Sequence, residues 1–135
     1  MNGALPAFAT LLARVLLALM FFAGGYEKIV GFDGTVAYIT KHGLPLPEAA
    51  AVGSIILELG AGIALILGFK ARWAALALVA FVLVLNYTFH AFWTLPAGQQ
   101  GLQTILFLKN LAVVGGLLLI AAYGPGAWSV DARRG

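Results

Sequence analysis

The sequence predicts an all-α membrane protein: a four-transmembrane-helix antiparallel bundle with a short interfacial helix between the first and second spans. Three observations carry this. The 135 residues are 62% hydrophobic and 10% charged, with a mean hydropathy of +1.00, far from the averages of soluble domains. Four apolar runs, at about 8–26, 48–67, 73–93 and 104–123, are each long enough for a helix to cross a hydrocarbon layer of roughly 30 Å. The charged residues lie mostly between those runs. A single membrane domain over residues 1–135 accounts for the whole pattern.

The first run, 8–26, is read as a spanning helix. A cleaved signal peptide is the competing reading, because the run is N-terminal and ends in Ala23-Gly24-Gly25. It lacks a basic leading region, and Arg14 interrupts its apolar core, which disfavours cleavage. Arg14 lies about two turns inside the helix, where its long side chain is expected to snorkel toward the nearer surface. From Glu27 to Pro47 the chain turns polar and rich in glycine and proline. Within it, Asp33 suits an N-cap, Val36 and Ile39 share one side, and Gly43 suits a C-cap before Pro45, so a surface helix is expected over 34–42.

Pro47 and Glu48 fit the first turn of the second span, proline at N1 and a carboxylate near the positive end of the helix dipole. This helix carries Gly60, Ala64 and Gly68 at fourfold spacing, a stripe that favours close helix approach in membranes. Glu58 sits near its middle and needs a cation or several donors there. The segment 68–72 is a tight basic connection into the third span, which has Trp73 and Trp93 at its ends, as interfacial belts do. In that span Asn86 and His90 are four apart and share a face. Residues 94–103 are uncharged, with Pro96, Gly98 and Gly101, and read as a turn into the fourth span. The chain closes in Gly124-Pro125-Gly126 and an exposed tail with Arg133 and Arg134.

The fourth span holds Phe107-Leu108-Lys109-Asn110-Leu111, a charge and an amide inside an apolar run. A charge near the bilayer centre costs about 2.5 to 3.5 kcal/mol on insertion scales, so Lys109 is expected to face protein, water or a partner rather than lipid. Its expected partner is Glu58, as a structural ion pair, with Arg14 as the reserve partner for Glu58. Lys70, Arg72, Arg133 and Arg134 fall on the side of the termini, so the positive-inside rule makes both termini cytoplasmic. At 1.5 Å per residue, Glu58 lies about 15 Å below the outer end of its helix, Asn86 about 10 Å, Lys109 about 8 Å and His90 about 5 Å. These side chains are therefore expected to converge in the outer half of the bundle.

Several classes of function are excluded or disfavoured. With no cysteine, the chain has no disulfide relay, thiolate-held metal or thiol catalysis. No metal site is indicated, because no residues have a ligand spacing such as His-x-x-x-His. A haem would have only His42 and His90 to bind it. The net charge of +3 and pI near 9.5 report membrane topology rather than nucleic-acid binding.

Arg14, Phe21-Phe22-Ala23-Gly24-Gly25-Tyr26-Glu27-Lys28, Glu58-Leu59-Gly60-Ala61-Gly62, His90-Ala91-Phe92-Trp93 and Phe107-Leu108-Lys109-Asn110-Leu111 with Gly115-Gly116 stand in one order over four apolar helices. In this the chain resembles the DoxX family, over nearly its whole length. The resemblance implies a small four-helix protein of the bacterial inner (plasma) membrane, in some members a subunit of a thiosulfate:quinone oxidoreductase or of another membrane oxidoreductase complex. The expected site is a quinone pocket lined by Glu58, Asn86, His90, Lys109 and Asn110, with Phe89, Trp93 and Phe107 packed on the ring and His90 as the proton-transfer group. Electrons would come from an oxidoreductase partner subunit, and a homo-oligomer is compatible with the same sequence. The alternative is a non-enzymatic assembly factor or small transporter that uses this polar cluster as a proton or solute path.

Overall fold

A computed structural model describes residues 3–135 and is helical throughout, with four helices long and apolar enough to cross a membrane. Helix α1 spans Ala4–Val30, with Pro6 in its first turn, where a missing N–H costs nothing. It runs straight through Gly24-Gly25 and is longer than the expected 8–26. Gly31 breaks it, donating its N–H to Glu27 O at 2.9 Å. The surface helix follows at once as α2, Phe32–Lys41, close to the expected 34–42. Of its residues Ile39 is the buried one, so it anchors α2 to the bundle end.

Helix α3, Pro47–Leu67, starts with Pro47 at N1 and Glu48 in its first turn, and ends on Gly68, whose φ of +68° favours glycine. Helix α4, Ala71–Phe89, stops four residues before the expected end, with His90 as its C-cap. Two 3-10 turns, Phe92–Thr94 and Ala97–Gln99, then lead into α5, Gln100–Tyr123.

In the bundle α1 packs along α3, α3 against α4 and α4 against α5, while α1 and α5 meet only lightly. Ala18, Phe21, Leu65, Leu78, Val82 and Leu117 form the shared core. The close approach of α1 to α3 uses only part of the expected Gly60-Ala64-Gly68 stripe, for a side chain at Gly68 would come within 2.6 Å of Arg14 Nη1. A side chain at Gly60 would meet nothing, whereas one at Gly25 would come within 2.8 Å of Leu59 and one at Gly62 within 3.4 Å of the Phe22 ring. The buried side of α3 is set by Ala51, Glu58, Gly62 and Leu65, on the opposite side of the helix from Gly60 and Ala64.

Arg14 does not snorkel. It is fully buried and donates from Nη1 to Leu65 O at 3.0 Å and Ile66 O at 2.9 Å, and from Nη2 to Trp128 O. A guanidinium there donates to carbonyls of the last turn of α3, of which Leu65 O also accepts from Gly68 N, and complements the negative end of its dipole. Arg72 does the same for α5, donating to Ala121 O at 3.2 Å and Ala122 O at 2.6 Å.

The tail is not a free one either. Ser129 is buried and caps a short helix α6, Val130–Arg134, by accepting from Ala132 N at 3.2 Å. The Asp131 carboxylate accepts from Lys70 N at 2.7 Å and Ala71 N at 2.9 Å, serving as an N-cap brought to α4 from the far end of the chain. Asp131→Ala is expected to cost about 1 kcal/mol, the usual worth of an N-cap. A lowered thermal unfolding midpoint in detergent, with Asp131→Asn retaining part of the loss, is the measurement that checks it.

Candidate functional site

The α1–α3 seam positions the first part of the site. Gly24 faces Glu58 so closely that a Cβ at Gly24 would lie 3.1 and 3.2 Å from the two carboxylate oxygens. Glycine at this position is what lets the carboxylate lie between the helices. Lys28 stands one turn further along α1, and helical side chains lean over the turn N-terminal to their own Cα. It therefore reaches back over Gly24, and Nζ meets Oε1 and Oε2 of Glu58 at 3.0 Å each. The carboxylate side chain is 5% exposed and that of Lys28 23%.

This corrects the expected partnership of Glu58 with Lys109 or Arg14. Arg14 is spent at the far end of α3. Lys109 lies exposed on the outer side of α5, while Phe107 and Asn110 turn inward. Because α5 descends from the loop end, the Lys109 side chain leans toward that surface, and snorkelling rather than burial accommodates its charge.

Asn86 and Asn110 form a second, separate polar unit. Asn110 Nδ2 donates to Asn86 Oδ1 at 3.1 Å, and Asn86 Nδ2 donates to the Phe107 carbonyl at 3.1 Å. Both residues are buried, and their amides staple α4 to α5. Trp93 and Phe107 pack with Tyr87 and Phe92 in an aromatic group beside this staple.

Phe89 and His90 turn the other way, into a cavity of about 620 Å³ between α1, α2, α3 and α4 at the loop end. Its polar wall includes Glu27, Lys28, Thr35, Tyr38, Ser54 and His90; Phe81, Val84 and Leu85 add apolar surface. The Tyr38 ring stacks on Phe89 with centroids 5.1 Å apart, and His42 lies 4.8 Å from Phe89. His90 Nδ1 meets Gln103 Oε1 at 2.8 Å. With the amide oxygen as acceptor, Nδ1 carries the hydrogen of the neutral ring and Nε2 is its basic nitrogen.

The five expected ligand residues are thus divided among three places. His90 lines the cavity and Glu58 lies just beneath its wall through Lys28; Asn86 and Asn110 are in the α4–α5 staple, and Lys109 is outside the bundle. Sequence reasoning missed Lys28, Tyr38, Thr35 and Ser54. The signal for Lys28 was present, a cation four residues after a glycine that faces a helix with one intramembrane carboxylate.

Residues 9–91 match the family model DoxX. The chain belongs to the DoxX family. It is 37% identical over 131 residues to inner membrane protein YphA of Escherichia coli (strain K12), covering 97% of this chain and 94% of that one. It is 38% identical over 121 residues to inner membrane protein YqjF of the same organism, covering 90% and 88% of the two chains. A Surfeit locus protein 4 homolog of Drosophila melanogaster is 33% identical over 130 residues, which is 94% of this chain and 41% of that protein. No solved structure matches. The DoxX match includes Arg14, Gly24, Lys28, Glu58 and His90, whereas the Lys109-Asn110 segment lies beyond it. Among the described residues no group of three or more His, Asp or Glu could hold a metal ion.

Glu58→Gln and Lys28→Met should each destabilise this DoxX protein, and the double variant should recover part of the sum. Polar contacts between membrane helices give couplings of about 0.6 kcal/mol on average and roughly 1.7 at most, which sets the expected scale. The same cycle with Lys109→Met should be additive. Unfolding midpoints of the six proteins decide between the two lysines.

Proposed function

We propose that this DoxX protein is the membrane-embedded, ligand-binding subunit of a redox complex, and that its loop-end cavity takes a quinone-like molecule. The observation that supports this most is the joining, in one cavity, of an ammonium group, an imidazole and two stacked aromatic rings beside a buried ion pair. A volume of about 620 Å³ falls within the usual range for small-molecule sites, roughly 300 to 1,000 Å³. The residues fit a flat ring bearing two oxygens. Phe89 and Tyr38 offer ring-sized apolar surface, Lys28 can donate to one oxygen without leaving Glu58, and Nε2 of His90 can take or give a proton at the other. A bound quinone would supply the two-electron acceptor; the chain has no thiolate to hold an iron–sulfur cluster, so a partner subunit would deliver the electrons.

A second reading, a proton or solute path, draws on the Glu58–Lys28 pair, whose lysine is shared between the seam and the cavity wall. Purified protein, titrated with a short-chain quinone, separates the two. Quinone binding should raise the melting temperature in proportion to RT ln(1 + [L]/Kd), and His90→Ala and Phe89→Ala should diminish that rise while Lys109→Met leaves it intact. Equal responses in all four proteins, or no response in any, would abandon the quinone site for the transport reading.

The bilayer is proposed to be the bacterial inner membrane, as the names of the Escherichia coli relatives suggest, with both termini cytoplasmic. Lys70, Arg72, Arg133 and Arg134 cluster at one end of the bundle, which favours that orientation. The chain has no cysteine of its own. Single cysteines at Lys41 and Lys70 should therefore label with an impermeant reagent from opposite sides, Lys41 from outside. Labelling of Lys70 from outside would invert the topology.

A further inference from the structure

The light contact between α1 and α5 leaves a cleft of about 670 Å³ between them, at the end of the bundle that holds the termini. Its walls are apolar residues such as Ala9, Ala13, Leu17 and Leu119, with Thr10, Arg14 and Tyr123 as the polar exceptions. The cleft has a direction. Leu17 and Gly116 meet at its deep end, and Thr10, Gly124 and Pro125 lie at its shallow one. From Gly116 to Pro125 it runs about 13 Å along the bundle at the helical rise.

Arg14 gives this apolar cleft a charge. The guanidinium is fully buried, and its acceptors are the carbonyls of Leu65, Ile66 and Trp128. Its Nε–H is the buried side-chain donor that meets no acceptor among the described residues. No carboxylate pairs with it either. Among the described residues the ion pair that forms is Lys28 with Glu58, and the Asp131 carboxylate is engaged by Lys70 N and Ala71 N. A buried cation with one donor open, whose neighbouring acid Asp131 is already engaged by backbone N–H groups, is costly to leave so. A polar head that brings one anionic oxygen would satisfy that donor and add a negative charge in contact with the guanidinium.

We propose that this cleft binds an anionic acyl amphiphile, with its head group at Arg14 and Thr10 and its chain along Ala13, Leu17 and Gly116. The polarity agrees with the bilayer: head toward the termini surface and chain toward the midplane, as a lipid of that leaflet lies. Thr10 Oγ1 donates to Ala7 O at 3.0 Å and keeps its lone pairs for a further donor, so a protonated or hydroxylated head group finds an acceptor there as well. The site is separate from the loop-end cavity and does not depend on what that cavity takes. It also explains why α1 and α5 stand apart where every other neighbouring pair of long helices is closed.

The test uses delipidated full-length protein in detergent, titrated with dioleoyl phosphatidylglycerol, oleate or dioleoyl phosphatidylcholine while the melting temperature is followed. One or both anionic amphiphiles should raise it and the zwitterionic lipid should not. A rise with phosphatidylglycerol alone assigns the site to a phospholipid head, and a rise with oleate alone to a free fatty acid. Ala13→Phe fills the cleft without touching the hydrogen bonds of Arg14 and should abolish the rise. Arg14→Lys keeps the charge and loses the open Nε donor, and should weaken binding about tenfold, the loss of one charge-assisted hydrogen bond. If Arg14→Lys does not fold, Ala13→Phe decides alone. An equal rise with phosphatidylcholine, an undiminished rise in Ala13→Phe, or no rise with either anionic amphiphile overturns the proposal.

Discussion

A charge inside an apolar bundle must be answered by another group of the protein, and in this chain Glu58 is answered by Lys28. The pairing holds the register of α1 against α3. It needs a glycine at position 24 to admit the carboxylate and a lysine one turn later that leans back over it. At the opposite end of the same seam, Arg14 meets carbonyls of the last turn of α3. Helix α1 thus pins α3 at its middle and at its C-terminal end with its two buried or half-buried cations. Since α3 also carries α2 and α4 on its flanks, the register of this pair propagates through the bundle.

The other polar side chains follow the same economy of local satisfaction. Asn86 and Asn110 close each other and a backbone carbonyl across α4 and α5, so this seam is held by hydrogen bonds without charge. Asp131 and Arg72 tie the termini end together, with the C-terminal segment folded back on the α3–α4 turn. Two spaces lie between these contacts. The loop-end cavity gathers Tyr38 and His90 under the surface helix, and the α1–α5 cleft holds the open Arg14 donor.

These two spaces have opposite character, and α1 borders both. The cavity is walled by four helices, with polar groups spread around aromatic rings, as suits a compact ligand with oxygens at its edge. The cleft is long, apolar and charged at one point, as suits a chain with a head.

The sequence by itself determined the four spans, the surface helix, the DoxX resemblance and the presence of intramembrane charge at Glu58, because apolar run length, proline and glycine punctuation and motif order are all local properties. It also singled out His90 as a candidate on the strength of its chemistry, and the side chain lines the loop-end cavity. It could not decide which cation meets Glu58. Depth counting put Lys109 near enough, but depth ignores rotation about the helix axis, and rotation turned Lys109 outward with Asn110 inward. Likewise Asn86 and His90, four apart on an ideal helix, were separated because α4 ends at Phe89. The burial of Arg14 and the capping by Asp131 depend on segments about 50 to 115 residues away in the chain. Only the tertiary structure brings those segments together, because a helix's azimuth and its end contacts are set by the neighbours it packs against and not by its own residues.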